Sequence, residues 1–447
     1  LMAAATLIVV AKFLLPVFLE NNIQTMPQFI EKRFDGSVRT GLAIFWVALF
    51  IFVNIASLFY LGSLAIERIV GIPMMYGVIG LLLYSAAFSI FGGLKAVVWS
   101  DVIQVVVLIF GGLIATYLVL AAVGDGSGVI NGLKMLYEKA PEKFNMIFTK
   151  EDTYIKTGTG SVKSSYELLP GLGVLIGGMW IANMYYWGFN QYIVQRALAA
   201  KDIRESQKGV LFAAFMKIFM PLIVVVPGIA AFVLGAELNK ADEAYPWVIS
   251  SYVGVGFKGI IVAAIIAAIG SSISSMVNSA STIYTLDIHH KLINTSLSES
   301  ALVKTGKIAA TLALIIGALV SPILKSQGQI FQYIQEYTGF ISPGILVVFL
   351  LGLFWPRATT RGALVAVFLA IPLSLFLKSY LNEMAFLHRM GISFLILTAV
   401  MVGVSLLDNT VRKKISLPDG IFKTSTSFNF WSLILFALLA VFYAIFW

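Results

Sequence analysis

Lys217 stands inside an uninterrupted apolar run, "GVLFAAFMKIFMPLIVVVPG", ten residues beyond Gln207. At 1.5 Å per residue that is about 15 Å along a helix, too deep for easy escape to an interface. An ammonium at such depth in a bilayer costs at least a few kcal/mol, so it faces a cavity, the interior of a bundle or a polar partner. A lysine bonded to backbone carbonyls is the structural alternative. Asn183, in "WIANMYYWGFNQYIVQR", and Gln335, in "FQYIQEYTGF", offer amide donors and acceptors at similar depth. With Lys217 they suit the hydroxyls of an uncharged polyol, a sugar above all. Taken singly, each amide also fits an interhelical hydrogen bond. Tyr186 follows Asn183 by three residues and shares its helical face, where a phenol supplies apolar contact to a bound ring and a polar tie through its hydroxyl. Tyr185 and Trp187 are read as packing residues.

A second set is made of hydroxyls. In "IIAAIGSSISSMVNSASTIYTLDI", Ser271, Ser275 and Ser279 recur at spacing four, with Ser272 beside the first. Hydroxyls and helix carbonyls are the hard oxygen ligands an alkali cation takes. Close helix packing through small residues, with hydroxyls bonded back to carbonyls, explains the same stripe equally well. Asp101, in "FGGLKAVVWSDVIQ", belongs either to a cation path or to an ion pair with a basic residue such as Arg196. His289-His290 has no metal-ligand spacing nearby and reads as solvated. Asn294-Thr295-Ser296 matches a glycosylation sequon on the face opposite to that use. The chain carries no phosphate-binding loop, zincin motif or nucleophile elbow, so it is not read as an enzyme.

The elements that hold these residues are membrane helices. The 447 residues are 59% hydrophobic and 12% charged, with mean hydropathy +0.92, far beyond what a soluble core needs. The alternating pattern of outer-membrane strands is missing. Hydropathy predicts about 12 spans, near 1–18, 38–67, 73–92, 96–123, 169–195, 207–235, 257–288, 303–325, 329–355, 361–378, 387–407 and 428–447. Two are interrupted: one at Trp187-Gly188-Phe189-Asn190-Gln191, the other at Gly339 and Ser342-Pro343-Gly344. Broken helices at membrane depth line cavities. The net charge of +9 comes from Lys and Arg scattered between spans and reads as a topology signal, not as a nucleic-acid surface. Strict alternation gathers about 17 of them on one face and about six on the other, which makes the first face cytoplasmic. The polar insertion over 124–168 and the end of the chain then lie outside. The chain has no cysteine, which excludes disulfides and thiolate metal sites. Because Leu1 opens directly on an apolar run, the chain is expected to begin part-way through a larger protein.

Together, "NMYYWGFNQYIVQR", "GGLKAVVWSDVIQ", "FAAFMK", "SSISSMVNS", "FQYIQEYTGFISPGILVVFLLGLFW" and "RATTRGA", in this order, resemble the sodium/solute symporter family, most closely its bacterial sodium/galactose-type members. The resemblance runs across essentially the whole chain. It implies an all-α polytopic membrane protein of the leucine-transporter type, with inverted repeats around a midplane site. Its N-terminal helix would be absent, and 361–447 would form accessory C-terminal helices of the one transmembrane domain, 1–447. The implied activity is sodium-coupled symport of a galactose- or glucose-like sugar by alternating access, in a bacterial plasma membrane. By the resemblance Asn183, Lys217 and Gln335 bind sugar hydroxyls, Tyr186 closes the inner side of the site and Phe331 belongs to the outer gate. Co-transported sodium would be held by the Ala268 carbonyl and the Ser271 and Ser272 hydroxyls, and Asp101 corresponds to an aspartate linked to coupling. Two departures concern the sugar: a binding glutamate would fall before Leu1, and Ala3 stands where a serine contact is expected. Carriers of proline, pantothenate, sialic acid or myo-inositol share the scaffold, and a transporter-like sensor module is a further alternative. Without the missing helix the 447 residues alone are not expected to transport.

Overall fold

The computed structural model describes residues 1–23, 25–91, 93–149, 154–156, 162–164, 166, 171–408, 410 and 415–447. Among the described residues the fold is all-helical apart from one short antiparallel ribbon, in which Tyr154–Lys156 pairs with Val162–Ser164. Among the described residues nine helices are long and apolar enough to cross a membrane, and the pair Ile330–Gly339 and Ser342–Phe354, bent by 48°, forms a tenth, broken span. Met74–Phe91 and the interrupted stretch from Gly171 to Leu198 complete the set, so every span expected from hydropathy corresponds to a helix or a broken helix.

The ends of these spans follow local chemistry. Five of them, starting at Gly36, Ile203, Glu299, Thr360 and Thr426, begin at the end expected to carry the basic loops, and each is capped by the side chain just before it. The caps are Asp35, Asp202, Ser298, Thr359 and Ser425, whose oxygens accept first-turn N–H groups that the helix cannot satisfy itself. At the same end Arg33, 2% exposed, donates to the carbonyls of Gly352 at 2.7 Å, Trp355 at 3.1 Å and Ala358 at 3.0 Å. A cation there completes the carbonyl-rich C-terminus of Ser342–Phe354.

Near it an aromatic cluster joins four segments. Phe349 stacks on Phe29 at 4.9 Å and meets Phe189 at 4.6 Å, and Phe189 meets Phe18 edge-on at 6.2 Å. Such contacts add to area burial and fix the broken helices against the bundle. At the opposite end the expected polar insertion contains a helix, Val129–Lys139, and a short 3-10 turn, Pro141–Lys143. The Met146 N–H donates to the Phe446 carbonyl at 2.8 Å, so the insertion and the end of the last span share one end of the molecule. Residues 150–153, 157–161, 165, 167 and 168 of that insertion, and 169 and 170 just after it, lie outside the described residues.

Candidate substrate and cation sites

The interruption expected around Trp187 is a run of three distinct features. Gly178–Met184 is α-helical, Tyr185–Phe189 widens into a π-turn, and Asn190 then takes an extended conformation (φ −84°, ψ 119°) before Gln191–Leu198 resumes the helix. Single π-turns inside helices recur at functional sites because they turn side chains off their regular face. The first piece packs very closely against the span Phe386–Leu407. A Cβ on Gly178 would stand 2.0 Å from the Leu387 carbonyl oxygen, so only glycine permits this approach.

Asn183 is half-buried, and its side-chain N–H donates to the Met179 carbonyl at 2.9 Å, which leaves its amide oxygen to other partners. Tyr186 is also half-buried; its hydroxyl accepts from the Tyr192 hydroxyl at 3.1 Å, and its ring meets Trp187 edge-on at 4.9 Å. Tyr185 is fully buried, as a packing residue should be. Trp187 packs against the core and also meets a charge. Lys217 places its Nζ 5.0 Å from the Trp187 ring centroid, a cation–π contact between the broken span and Ile203–Val233. Trp187 is half-buried and stands four residues from Asn183, on nearly the same helical face.

Gln335 and Phe331 lie on Ile330–Gly339, one turn apart, Gln335 half-buried and Phe331 63% exposed. That half-helix packs against Gly178–Met184, which carries Asn183. The structure thus gathers the polar candidates on neighbouring segments, two of them broken. Each break frees backbone groups, and one is answered locally: Ser374 Oγ donates to the carbonyl of Phe340 at 3.3 Å.

The hydroxyl stripe follows a different geometry. Ser271, Ser275 and Ser279 are buried on Val255–Ile283, whereas Ser272 is exposed and Ala268 half-buried. Ser271 Oγ donates to Asp101 Oδ1. Arg196 Nη2 donates to Asp101 Oδ2 at 2.8 Å and to Ser275 Oγ at 3.0 Å, and its Nη1 donates to the Tyr192 carbonyl at 2.6 Å. Three helices, Gly93–Val123, Gln191–Leu198 and Val255–Ile283, meet at this cluster. Both readings of Asp101 fall on one place, since its ion-pair partner is Arg196 and its other oxygen faces a serine of the candidate cation helix. Ser271 and Ser272, adjacent in sequence, turn to different sides.

A bundle of this kind, with two broken helices bearing polar groups at depth, has the architecture of an ion-coupled carrier. Residues 1–370 match the family model described as "Sodium:solute symporter family". The chain is 45% identical to the sodium/glucose cotransporter of Vibrio parahaemolyticus, an alignment covering 100% of this chain and 84% of the relative. It is 31% identical to the sodium/myo-inositol cotransporter 2 of Bos taurus over 81% of this chain, and spans 56% of that protein's length. Among solved structures, a substrate-bound outward-open state of a Na+-coupled sialic acid symporter superposes with TM-score 0.76 at 25% identity, covering 93% of this chain and 83% of the other. The chain belongs to the sodium:solute symporter family. It is a multi-pass membrane protein with the fold of that sodium-coupled carrier, and sodium is its coupling ion.

Proposed function

We propose that the chain is the transmembrane body of a sodium–sugar symporter working by alternating access, with the face rich in Lys and Arg in the cytoplasm. The observation that carries the reading is the set of polar groups on and beside the broken helices: the Asn183 amide oxygen, the Tyr186 phenol, the Gln335 amide and the Lys217 ammonium held over Trp187. Amides and an ammonium bind hydroxyls, and aromatic rings cover the apolar face of a sugar ring. The 45% identity to a sodium/glucose cotransporter supports a hexose. Tyr186 closes the cytoplasmic side of the site and Phe331 the external side. Ala268, Ser271 and Ser272 present the oxygens for sodium, and Asp101 links that helix to Arg196.

A membrane potential of 100 mV contributes about 2.3 kcal/mol per inward sodium. The coupling requires sodium to raise sugar affinity and sugar to raise sodium affinity by one factor. A second reading is a carrier of an anionic solute such as a sialic acid, favoured by the ammonium of Lys217 and by the structural neighbour. Counterflow of radiolabelled galactose and glucose in proteoliposomes, with myo-inositol, proline, pantothenate and sialic acid as competitors, separates the two. The proposal expects sodium-dependent exchange of a hexose, and exchange of sialic acid without hexose would replace it by the second reading.

A further inference from the structure

The half-helix Ile330–Gly339 carries Phe331 and Gln335, and it is held from two sides by charges on segments other than those bearing the candidate ligands. At its start, the Ile330 N–H donates to Asp242 Oδ2 at 3.1 Å, so a carboxylate from the loop 240–243 caps a helix whose own preceding residue, Gln329, provides no side-chain cap. Lys240 from the same loop donates to the Lys325 carbonyl and, at 3.0 Å, to the Gln327 carbonyl. One turn before the bend, Glu336 Oε1 accepts from Arg389 Nη2 at 3.0 Å and stands 3.2 Å from Lys378 Nζ.

These two cations belong to Thr360–Tyr380 and Phe386–Leu407, outside the segments that bear the candidate ligands. Arg389 is itself fixed by the Leu381 carbonyl at 3.2 Å and by the Met384 carbonyl. Lys378 also lies over the rings of Tyr337 and Phe340, at 5.3 and 5.5 Å. Gly339, at the end of the half-helix, lies against Phe386–Leu407. A Cβ on Gly339 would stand 2.6 Å from Met390 Cε, one residue beyond Arg389, so the end of the half-helix rests on the span that holds the ion pair.

We infer that Glu336, clamped by Arg389 and Lys378, is a positioning residue that holds the half-helix Ile330–Gly339 in its withdrawn, outward-exposed position. The pair is formed here while Phe331 is 63% exposed. Closing the external side swings Phe331 inward about Gly339, which carries Glu336 away from cations anchored on the accessory spans. The clamp therefore biases the equilibrium between exposed and closed states without touching the sugar. This rests on the proposed gate role of Phe331, but not on the identity of the solute.

The 447 residues contain no cysteine, so labelling of an introduced one is read against the full-length parent that lacks it. In the full-length protein in right-side-out vesicles with sodium and no sugar, Phe331→Cys is labelled with a membrane-impermeant maleimide. The rate is then compared with Glu336→Gln, Glu336→Asp or Lys378→Gln added. Loss of the clamp is expected to slow labelling roughly fivefold in Glu336→Gln, the low end of usual coupling between states, with Lys378→Gln intermediate and Glu336→Asp close to the parent. Folded Glu336→Gln protein labelled at the parental rate overturns the inference. If Glu336→Gln does not fold, an unchanged rate in folded Lys378→Gln overturns it equally. Counterflow of hexose, measured separately, reports on the symporter reading, so the two can fail independently.

Discussion

Asp101 and Arg196, from helices far apart in sequence, meet at 2.8 Å, and each also bonds a serine of Val255–Ile283, Ser271 to the carboxylate and Ser275 to the guanidinium. Both charged side chains keep about a third of their surface accessible, 28% for Asp101 and 34% for Arg196. A pair so exposed is worth at most about 1 kcal/mol of stability. On the proposed sodium-binding role of Val255–Ile283, its weight falls on that helix instead. Asp101→Asn is expected to leave thermal stability nearly unchanged and to raise the sodium concentration for half-maximal sugar binding about fivefold. Arg196→Gln, which frees the carboxylate from its counter-charge, shifts that concentration the other way. Sodium titrations of sugar binding check both, and no shift in either would remove Asp101 from the coupling path.

Lys217 separates a neutral from an anionic solute. Lys217→Gln keeps a hydrogen-bond donor and removes the charge. For a sugar the expected loss in affinity is roughly tenfold, the range of one charge-assisted hydrogen bond. An anionic substrate would lose far more, because its counter-charge is gone. Competition binding with the preferred solute measures the difference. The 5.0 Å contact with Trp187 also predicts a changed Trp187 emission in the variant, measured against a Trp187→Phe control.

Arg33 is a structural charge. Burial pulls its guanidinium down to about 10, which leaves it cationic at neutral pH, where three carbonyls surround it. Arg33→Ala strands those carbonyls and is expected to cost about 2–3 kcal/mol. Arg33→Lys recovers only part, since an ammonium lacks the planar fork that reaches carbonyls in several directions. Thermal unfolding in detergent reads both.

The same end of the molecule has an acid-sensitive lock. Arg39 bridges Glu31 and Asp287, and Lys291 pairs with Glu31, so the helix Met26–Arg33, the start of Gly36–Ala48 and the π-segment Tyr284–Ile293 are tied together. Burial works against the Glu31 carboxylate, but Lys291 and Arg39 outweigh it and hold the group below its ordinary 4.5. A depressed carboxylate stabilises the fold above its unfolded value, and that contribution is lost as pH falls through the folded value. The thermal midpoint should drop below pH 4.5 more steeply in the parent than in Glu31→Gln. Because Glu31 is 40% exposed, the effect is small and shrinks further in salt. Parallel curves for the two proteins would contradict it.

Polar atoms in apolar runs were the legible part of the chain. Asn183, Lys217 and Gln335 are conspicuous because a bilayer penalises each, and the breaks beside them show as Gly, Pro and polar residues inside hydrophobic windows. The spans were legible for the same reason. The contact of Trp187 with Lys217 was not legible, because the π-turn at Tyr185–Phe189 and the ammonium above the ring belong to tertiary structure. The clamp on Glu336 has no sequence signal at all. Its partners come from two other spans, and Asp242 reaches the Ile330 N–H across 88 residues of chain. The different surroundings of Ser271 and Ser272 were likewise hidden, since only the tertiary neighbour Asp101 decides which of the two hydroxyls is engaged.

Thermodynamic coupling between sodium and a hexose in one protein is what defines the proposed symporter. The direct measurement is the equilibrium affinity of the full-length protein for galactose and glucose at zero and saturating sodium, paired with its affinity for sodium with and without the sugar. Sodium should tighten binding of one hexose at least fivefold, the low end of usual coupling, and that hexose should tighten sodium binding by the same factor. Equal hexose affinities in the two conditions would contradict the account.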